Sequence, residues 1–360
     1  MIAVSWRQFR AQAVVGAAAL VAVAVALAVT GPHLVDVYRS GMAQCRAQGT
    51  SGSNCDNPVL DTYRGLQIAL AALVLVAPAL LGMFWGAPLM AREIESGTYR
   101  LAWTQSVTRR HWVLVKLGVV ALGAMAAAGA LSLMATWWSS PLVTASQNRF
   151  SPGEFGLVGI VPVGYAAFAF ALGATTGLVL RRTLPAMATT LAGFIAARLA
   201  MTYWIRPHLM TPLRRVFSLT GPGGGVGVEV DPQGLSLVAQ APSVPNAWVF
   251  STSVQDAAGN APSTAYLQQA CPNLPGIGGS VHHLQGPGLG GAVSAVPVPG
   301  GLKGDLQQCI ATVATRFHEV ALYQPASRYW AFQWLETLVF VVVAALLAGG
   351  AYWWVRHRMS

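Results

Sequence analysis

Six separate stretches of this chain, residues 11–30, 65–86, 113–138, 158–180, 185–205 and 330–355, each run for about twenty residues or more with hardly a charge. At about 1.5 Å per residue, a helix of that length crosses a bilayer core of about 30 Å. Lipid offers no partner to exposed N–H and C=O groups, so apolar stretches of this kind must be helices that satisfy their own backbone. The expected fold is therefore an all-α membrane protein with six transmembrane helices. Charged residues make up only 9% of the chain, against about 25% in an ordinary soluble domain, which excludes a water-soluble globule. Arg7 and Arg10 ahead of the first stretch give it the look of a cleavable signal. Its length and the further spans behind it favour a retained helix.

The net charge of +10 would suggest nucleic acid in a soluble protein, but here its distribution reads as membrane topology. With the N-terminus inside, short inner segments carry Arg7, Arg10, Arg92, Arg100, Arg109, Arg110, Lys116, Arg181, Arg182, Arg356 and Arg358. The short outer loops carry Arg39, Arg46, Arg64 and Arg149. The positive-inside rule then sets both termini in the cytoplasm and residues 206–328, between helices 5 and 6, outside. Cys45, Cys55, Cys271 and Cys309 all fall on that oxidising side. Of the three connectivities, local pairing, Cys45 with Cys55 and Cys271 with Cys309, is the simplest; four free buried thiols are the alternative.

Three parts follow: residues 1–205 with five spans, the outer segment 206–328, and residues 329–360 with the last span and a short tail. Residues 4–12 have the pattern of an interfacial amphipathic helix or of a plain charged flank. Turn-rich residues 31–63 read as the first outer loop, and 87–112 as a cytoplasmic loop. The outer segment is rich in Gly, Pro and Ser, with a strand expected over 248–252 and a helical period over 305–323. Gly173 and Gly177 form a small-residue motif in the fourth span, read as packing inside the bundle rather than as a dimer seam. Two charges lie inside spans, Arg198 and Glu336, each near 10 Å below the outer surface at about 1.5 Å per residue. They either pair or separate, with Arg198 reaching outward and Glu336 facing a wet vestibule.

Motifs for independent catalysis are missing from the sequence. There is no Gly-x-x-x-x-Gly-Lys-Ser/Thr phosphate loop and no Gly-x-Ser-x-Gly elbow, and His282 and His283 lack the spacing of a metal site. No metal or cofactor is expected on the chain. Interest centres on 87–112, where Pro88 can open a short helix, Gly97 can close it, and Arg92, Glu93 and Glu95 decorate it with both signs of charge. Such a helix can dock on another protein or lie on lipid headgroups.

This loop, with Ala91-Arg-Glu-x-Glu-x-Gly-Thr98, Thr104-Gln-Ser-Val-Thr-Arg-Arg-His-Trp112 and Lys116, resembles permease subunits of ABC-2-type transporters, most strongly those of actinobacteria. The N-terminal Ser5-Trp-Arg-Gln-Phe-Arg-Ala-Gln12 and Tyr323-Gln-Pro-Ala-Ser-Arg-Tyr-Trp-Ala-Phe-Gln-Trp-Leu-Glu336 share the likeness. The resemblance implies a coupling element, Glu93, Glu95, Gly97 and Thr98 with Arg92 and Arg109 beside them, that touches a separate ABC ATPase subunit. It also implies that ATP and Mg sit on that partner, that this chain is not itself an enzyme, and that a second permease copy or a homologue completes the path. Export of a hydrophobic or amphipathic substrate by alternating access is the implied activity, and transmission of force to an envelope partner without cargo is the alternative. Ser106 stands where such permeases often have Pro. The excess of Arg over Lys suits the plasma membrane of a high-GC bacterium.

Overall fold

The computed structural model describes residues 2–47, 58–95, 109–146, 149–220, 226–231, 234–239, 244, 246–272, 284–285 and 303–358. Cys55, Gly97, Thr98, Ser106, His282 and His283 lie outside these, as do the side chains of Cys45, Glu93 and Arg109. The chain divides into two units. The first comprises Met1–Ser146, Gly153–Leu209 and Trp330–Ser360, and the second Gln147–Pro152 and Met210–Tyr329.

The first unit is helical. Its elements are α1 (Ile2–Ala47), α2 (Pro58–Leu81), a π-turn (Gly82–Gly86), α3 (Ala87–Glu95), α4 (Arg109–Ser146), α5 (Pro152–Phe155), α6 (Val161–Leu180), α7 (Thr183–Ala200), a second π-turn (Met201–Ile205), α8 (Arg206–His208) and α11 (Tyr329–Arg358). Among the described residues, six helical stretches are long and apolar enough to cross a membrane. The mostly apolar outer faces of α1, α7 and α11 are exposed, as helices facing lipid require, whereas α6 is the most buried span and forms the centre.

Two expected boundaries are corrected. The turn signal at Gly31-Pro32 does not end the first helix, which runs on to Ala47. Gly31 serves as a notch: a Cβ there would stand 2.9 Å from the Trp137 ring. Beside it, Trp138 Nε1 donates to Thr30 Oγ1 at 3.0 Å. This tertiary contact holds helical a dipeptide that in isolation would favour a turn. Nor does Pro88 open a separate coupling helix. Helix α2 passes through the π-turn into α3, with the Ala87 N–H bonded to the Gly82 carbonyl. The wider turn absorbs the bulge that the approach to a proline forces on a helix. Pro88 has no N–H for the Phe84 carbonyl, and Gln12 Nε2 of α1 donates to that oxygen at 3.3 Å.

The π-turn is pressed against α6 backbone to backbone. A Cβ on Gly86 would lie 2.7 Å from the Phe170 carbonyl oxygen, and Cβ atoms on Gly82, Gly173 or Gly177 would collide with Ala169, Gly82 and Ala87 respectively. Gly173 and Gly177 therefore pack within the bundle. Left-handed Arg181 ends α6, and its N–H bonds the Gly177 carbonyl, which makes the reversal into α7 tight.

In the second unit, strands β1 (Leu213–Phe217), β4 (Trp248–Gln255), β5 (Leu284–Gln285) and β6 (His318–Gln324) form an antiparallel sheet in the order β1-β6-β4-β5. Strands β2 (Val226–Asp231) and β3 (Gly234–Ala239) form a separate hairpin. The period expected over 305–323 splits: α10 (Lys303–Ala314) is helical, but β6 is a central strand. Its Glu319, Val320, Ala321, Tyr323 and Gln324 are all buried, so it lacks the alternation that identifies a half-exposed strand. Helix α9 (Thr264–Ala270), capped by Ser263, and α10 are stapled by a Cys271–Cys309 disulfide. Both sulfurs belong to a core with Leu219, Val254, Leu267, Val313 and Phe317.

Candidate functional site

The first candidate is the exposed side of α3. Ala87, Met90 and Ala91, at i, i+3 and i+4, are buried, and a Cβ on Gly177 would strike the Ala87 carbonyl and approach the Ala91 N at 3.4 Å. Arg92 and Glu95 are exposed. Glu95 Oε2 accepts a 2.8 Å hydrogen bond from Thr183 Oγ1 in the first turn of α7, where a carboxylate also meets the positive end of the helix dipole. Helix α3 is thereby tied to three spans, through the π-turn to α2, through backbone contact to α6 and through Glu95 to α7. Of the other coupling candidates, Glu93 lies in α3 and Arg109 opens α4.

The second candidate lies within the spans. Arg198 and Glu336, singled out from the sequence, are 3.4 Å apart, but the stronger partner of Glu336 is Arg206. Its Nε donates to Oε2 at 2.7 Å and its Nη2 to Oε1 at 3.0 Å. Arg206 is 1% exposed and Glu336 0%. Tyr165 donates its hydroxyl to Glu336 Oε1. The Arg198 guanidinium lies 3.8 Å over the Tyr165 ring, and that of Arg206 lies 4.1 Å over Phe155. Bidentate pairing, a phenol and aromatic faces together offset the loss of hydration that makes intramembrane charge costly. Sequence reasoning missed Arg206 because it stands beside Pro207, where the apolar run stops. The second π-turn extends the helix through it.

Next to this cluster, Gln333 knots the start of α6. Its Oε1 accepts from the N–H groups of Ile160 and Val161, and its Nε2 donates to the carbonyls of Phe155 and Val158. A lone amide in a tryptophan-rich span start was the available signal.

The third feature is an apolar groove of about 620 Å³ between α1, α2 and α4, floored by Trp85 and lined by Leu20, Leu73, Phe84 and Leu131. Gln12 and Arg92 are its polar groups, both toward one end. Among the described residues, no group of His, Cys, Asp and Glu is arranged to hold a metal ion.

A family model described as ABC-2 membrane transporter related matches residues 17–206, from α1 through every intramembrane residue of the candidate sites except Gln12, Gln333 and Glu336. No curated protein and no solved structure matches the chain.

Proposed function

Because the chain belongs to the ABC-2 membrane transporter related family, we propose that it is the permease subunit of an ATP-binding cassette transporter, driven by a separate ATPase docked on α3. The observation that carries this reading is the seating of α3: its exposed charges stand on a helix welded to α2, α6 and α7. A short charged helix held so rigidly can fix the register of a partner and transmit its stroke. Lacking a phosphate loop, the chain leaves ATP and Mg to that partner, and alternating access needs a second copy or a homologue.

On this reading Arg92 and Glu95 face the cytoplasm with both termini, in the plasma membrane. The second unit then lies outside, where a Cys271–Cys309 disulfide persists. The apolar lining of the groove suits a hydrophobic or amphipathic cargo, and export is the direction this reading adopts.

The test is co-purification with a co-expressed ABC ATPase subunit, followed by charge reversal at Glu95 and Arg92. Glu95→Arg should abolish cargo-stimulated ATP hydrolysis while the six-span protein still inserts. If reversal leaves assembly and transport intact, or the purified chain hydrolyses ATP alone, the reading fails. A second reading, force transmission to an envelope partner, draws on the second unit's own disulfide-stapled core. Cargo flux into vesicles that persists without residues 215–320 would exclude it.

A further inference from the structure

The cluster around Glu336 is electrically unbalanced. Two guanidinium groups, Arg198 and Arg206, share one carboxylate, and among the described residues no second carboxylate is hydrogen-bonded or ion-paired to either. Arg206 engages both oxygens of Glu336 and is sealed from the surroundings. Arg198 holds a single longer contact of 3.4 Å to an oxygen that Arg206 and Tyr165 already use. Its flat face is occupied by the Tyr165 ring, which leaves its edge N–H donors other than the one directed at Glu336 for another acceptor.

Arg198 is also the member of the cluster at the lipid-facing surface, with 13% of its side chain exposed. Its neighbours Ile195, Leu199, Tyr203 and Trp204 are exposed on the same helical stretch. Trp204 and Trp330, six residues from Arg198 and Glu336 respectively, are exposed at this end of the unit and mark the headgroup level. Arg198 lies six residues from Trp204 on the helix, about 9 Å along the axis, and its guanidinium is held near that depth by the Tyr165 ring and Glu336, so a phosphate would have to dip below the headgroup level to meet it. The surplus positive charge therefore faces the acyl region just beneath the phosphates of one leaflet, where an uncompensated cation is unfavourable.

We propose that Arg198 binds the phosphate of an anionic phospholipid, held against the α7–α11 face beside the Tyr165 ring, and that this lipid completes the neutralisation of the cluster. Guanidinium edges match phosphate oxygens in a two-pronged geometry, and basic clefts between membrane helices bind lipid headgroups by the same chemistry. The site is separate from both the α3 surface and the apolar groove, so it does not rest on the transport reading.

The protein, purified from membranes and placed in nanodiscs of phosphatidylglycerol and phosphatidylcholine, is released into native mass spectrometry and its retained lipids are counted. The wild type should keep one more phosphatidylglycerol than Arg198→Gln, with affinity about tenfold lower in the variant, the scale of one lost charge-assisted contact. Arg64→Gln, which removes an exposed cation elsewhere, should lose none. Should Arg198→Gln not fold, Arg198→Lys should still show a several-fold weaker retention, since an ammonium lacks the paired donors. Equal phosphatidylglycerol counts in the wild type and the Arg198 variants overturn the proposal. So does displacement of the lipid by inorganic phosphate with no preference for the glycerophospholipid, which would make this a small-anion site.

Discussion

Gln12 gives its side-chain N–H to the carbonyl of Phe84, the acceptor that residue 88 of a regular helix would have used and that Pro88 does not. A single amide thus fastens α1 to the one place where the second span departs from α-helical geometry. Gln12→Leu should cost about 1 kcal/mol, the net worth of one such hydrogen bond. Faster hydrogen exchange across 82–90 should accompany it, and unchanged exchange there would show that the bond is idle.

The glycine contacts make a sharper prediction. Gly173→Leu or Gly177→Leu must drive a side chain into the backbone of the π-turn or α3, and the folded protein should be lost from detergent extracts by size-exclusion chromatography. Gly118→Ala is the control. Nothing lies within 4 Å of the added methyl, and helix propensity should make it neutral to stabilising by up to about 1 kcal/mol.

Within the charge cluster, Arg206→Leu should destabilise far more than Arg198→Leu, by about 3–5 kcal/mol, because it strands Glu336 without its bidentate partner. Thermal unfolding in detergent ranks the two. Exchanging Arg198 and Glu336 should not restore stability, since the new arginine would face Arg206. Recovery by that exchange would make Arg198 the principal partner after all.

Removing the staple, with Cys271→Ser and Cys309→Ser together, should cost about 4 kcal/mol for a loop of 38 residues. Proteolysis of the second unit should accelerate. Reductant should reproduce the effect in the wild type and add nothing to the double variant.

Asp256 supplies a pH dependence. The backbone N–H of Asn260, followed by that of Ala258, donates to its carboxylate and holds its pKa below the usual range. A group whose folded pKa is depressed stabilises above its unfolded value of about 4, and that contribution disappears as pH falls through the lower folded value. Asp256→Asn should flatten the acid limb of turn stability between those values, read from amide shifts of residues 256–260.

The spans were legible because hydropathy over twenty residues reports the solvent, and lipid imposes helices wherever such a run occurs. Their ends were not. Gly31-Pro32 and Pro88 carry turn chemistry in isolation, and only contacts with Trp137 and Trp138, or with the π-turn and Gln12, keep the chain helical there. Arg198 and Glu336 were found because each interrupts an apolar run. Arg206 was not, because at the edge of such a run a charge looks like the beginning of a loop. In the second unit β4 was readable from its β-branched and aromatic residues, whereas β6, buried in the middle of the sheet, had no alternation to betray it. The close backbone approach of Gly82 and Gly173 shows as a motif in α6, but its partner can be known only in three dimensions.

Helix α1 has 46 residues and so extends roughly 70 Å, more than twice the thickness of the hydrocarbon layer. Tilt alone cannot hide that excess. With residues 11–30 in the layer, the part from Gly31 to Ala47 reaches about 25 Å beyond it, and its lower turns stay packed: buried Leu34, with Val37 and Tyr38, shares a cluster with Trp138 and Leu142 of α4. That extension is therefore braced by α4 rather than free-standing, so a shift of α1 within the membrane is carried beyond it together with the end of α4.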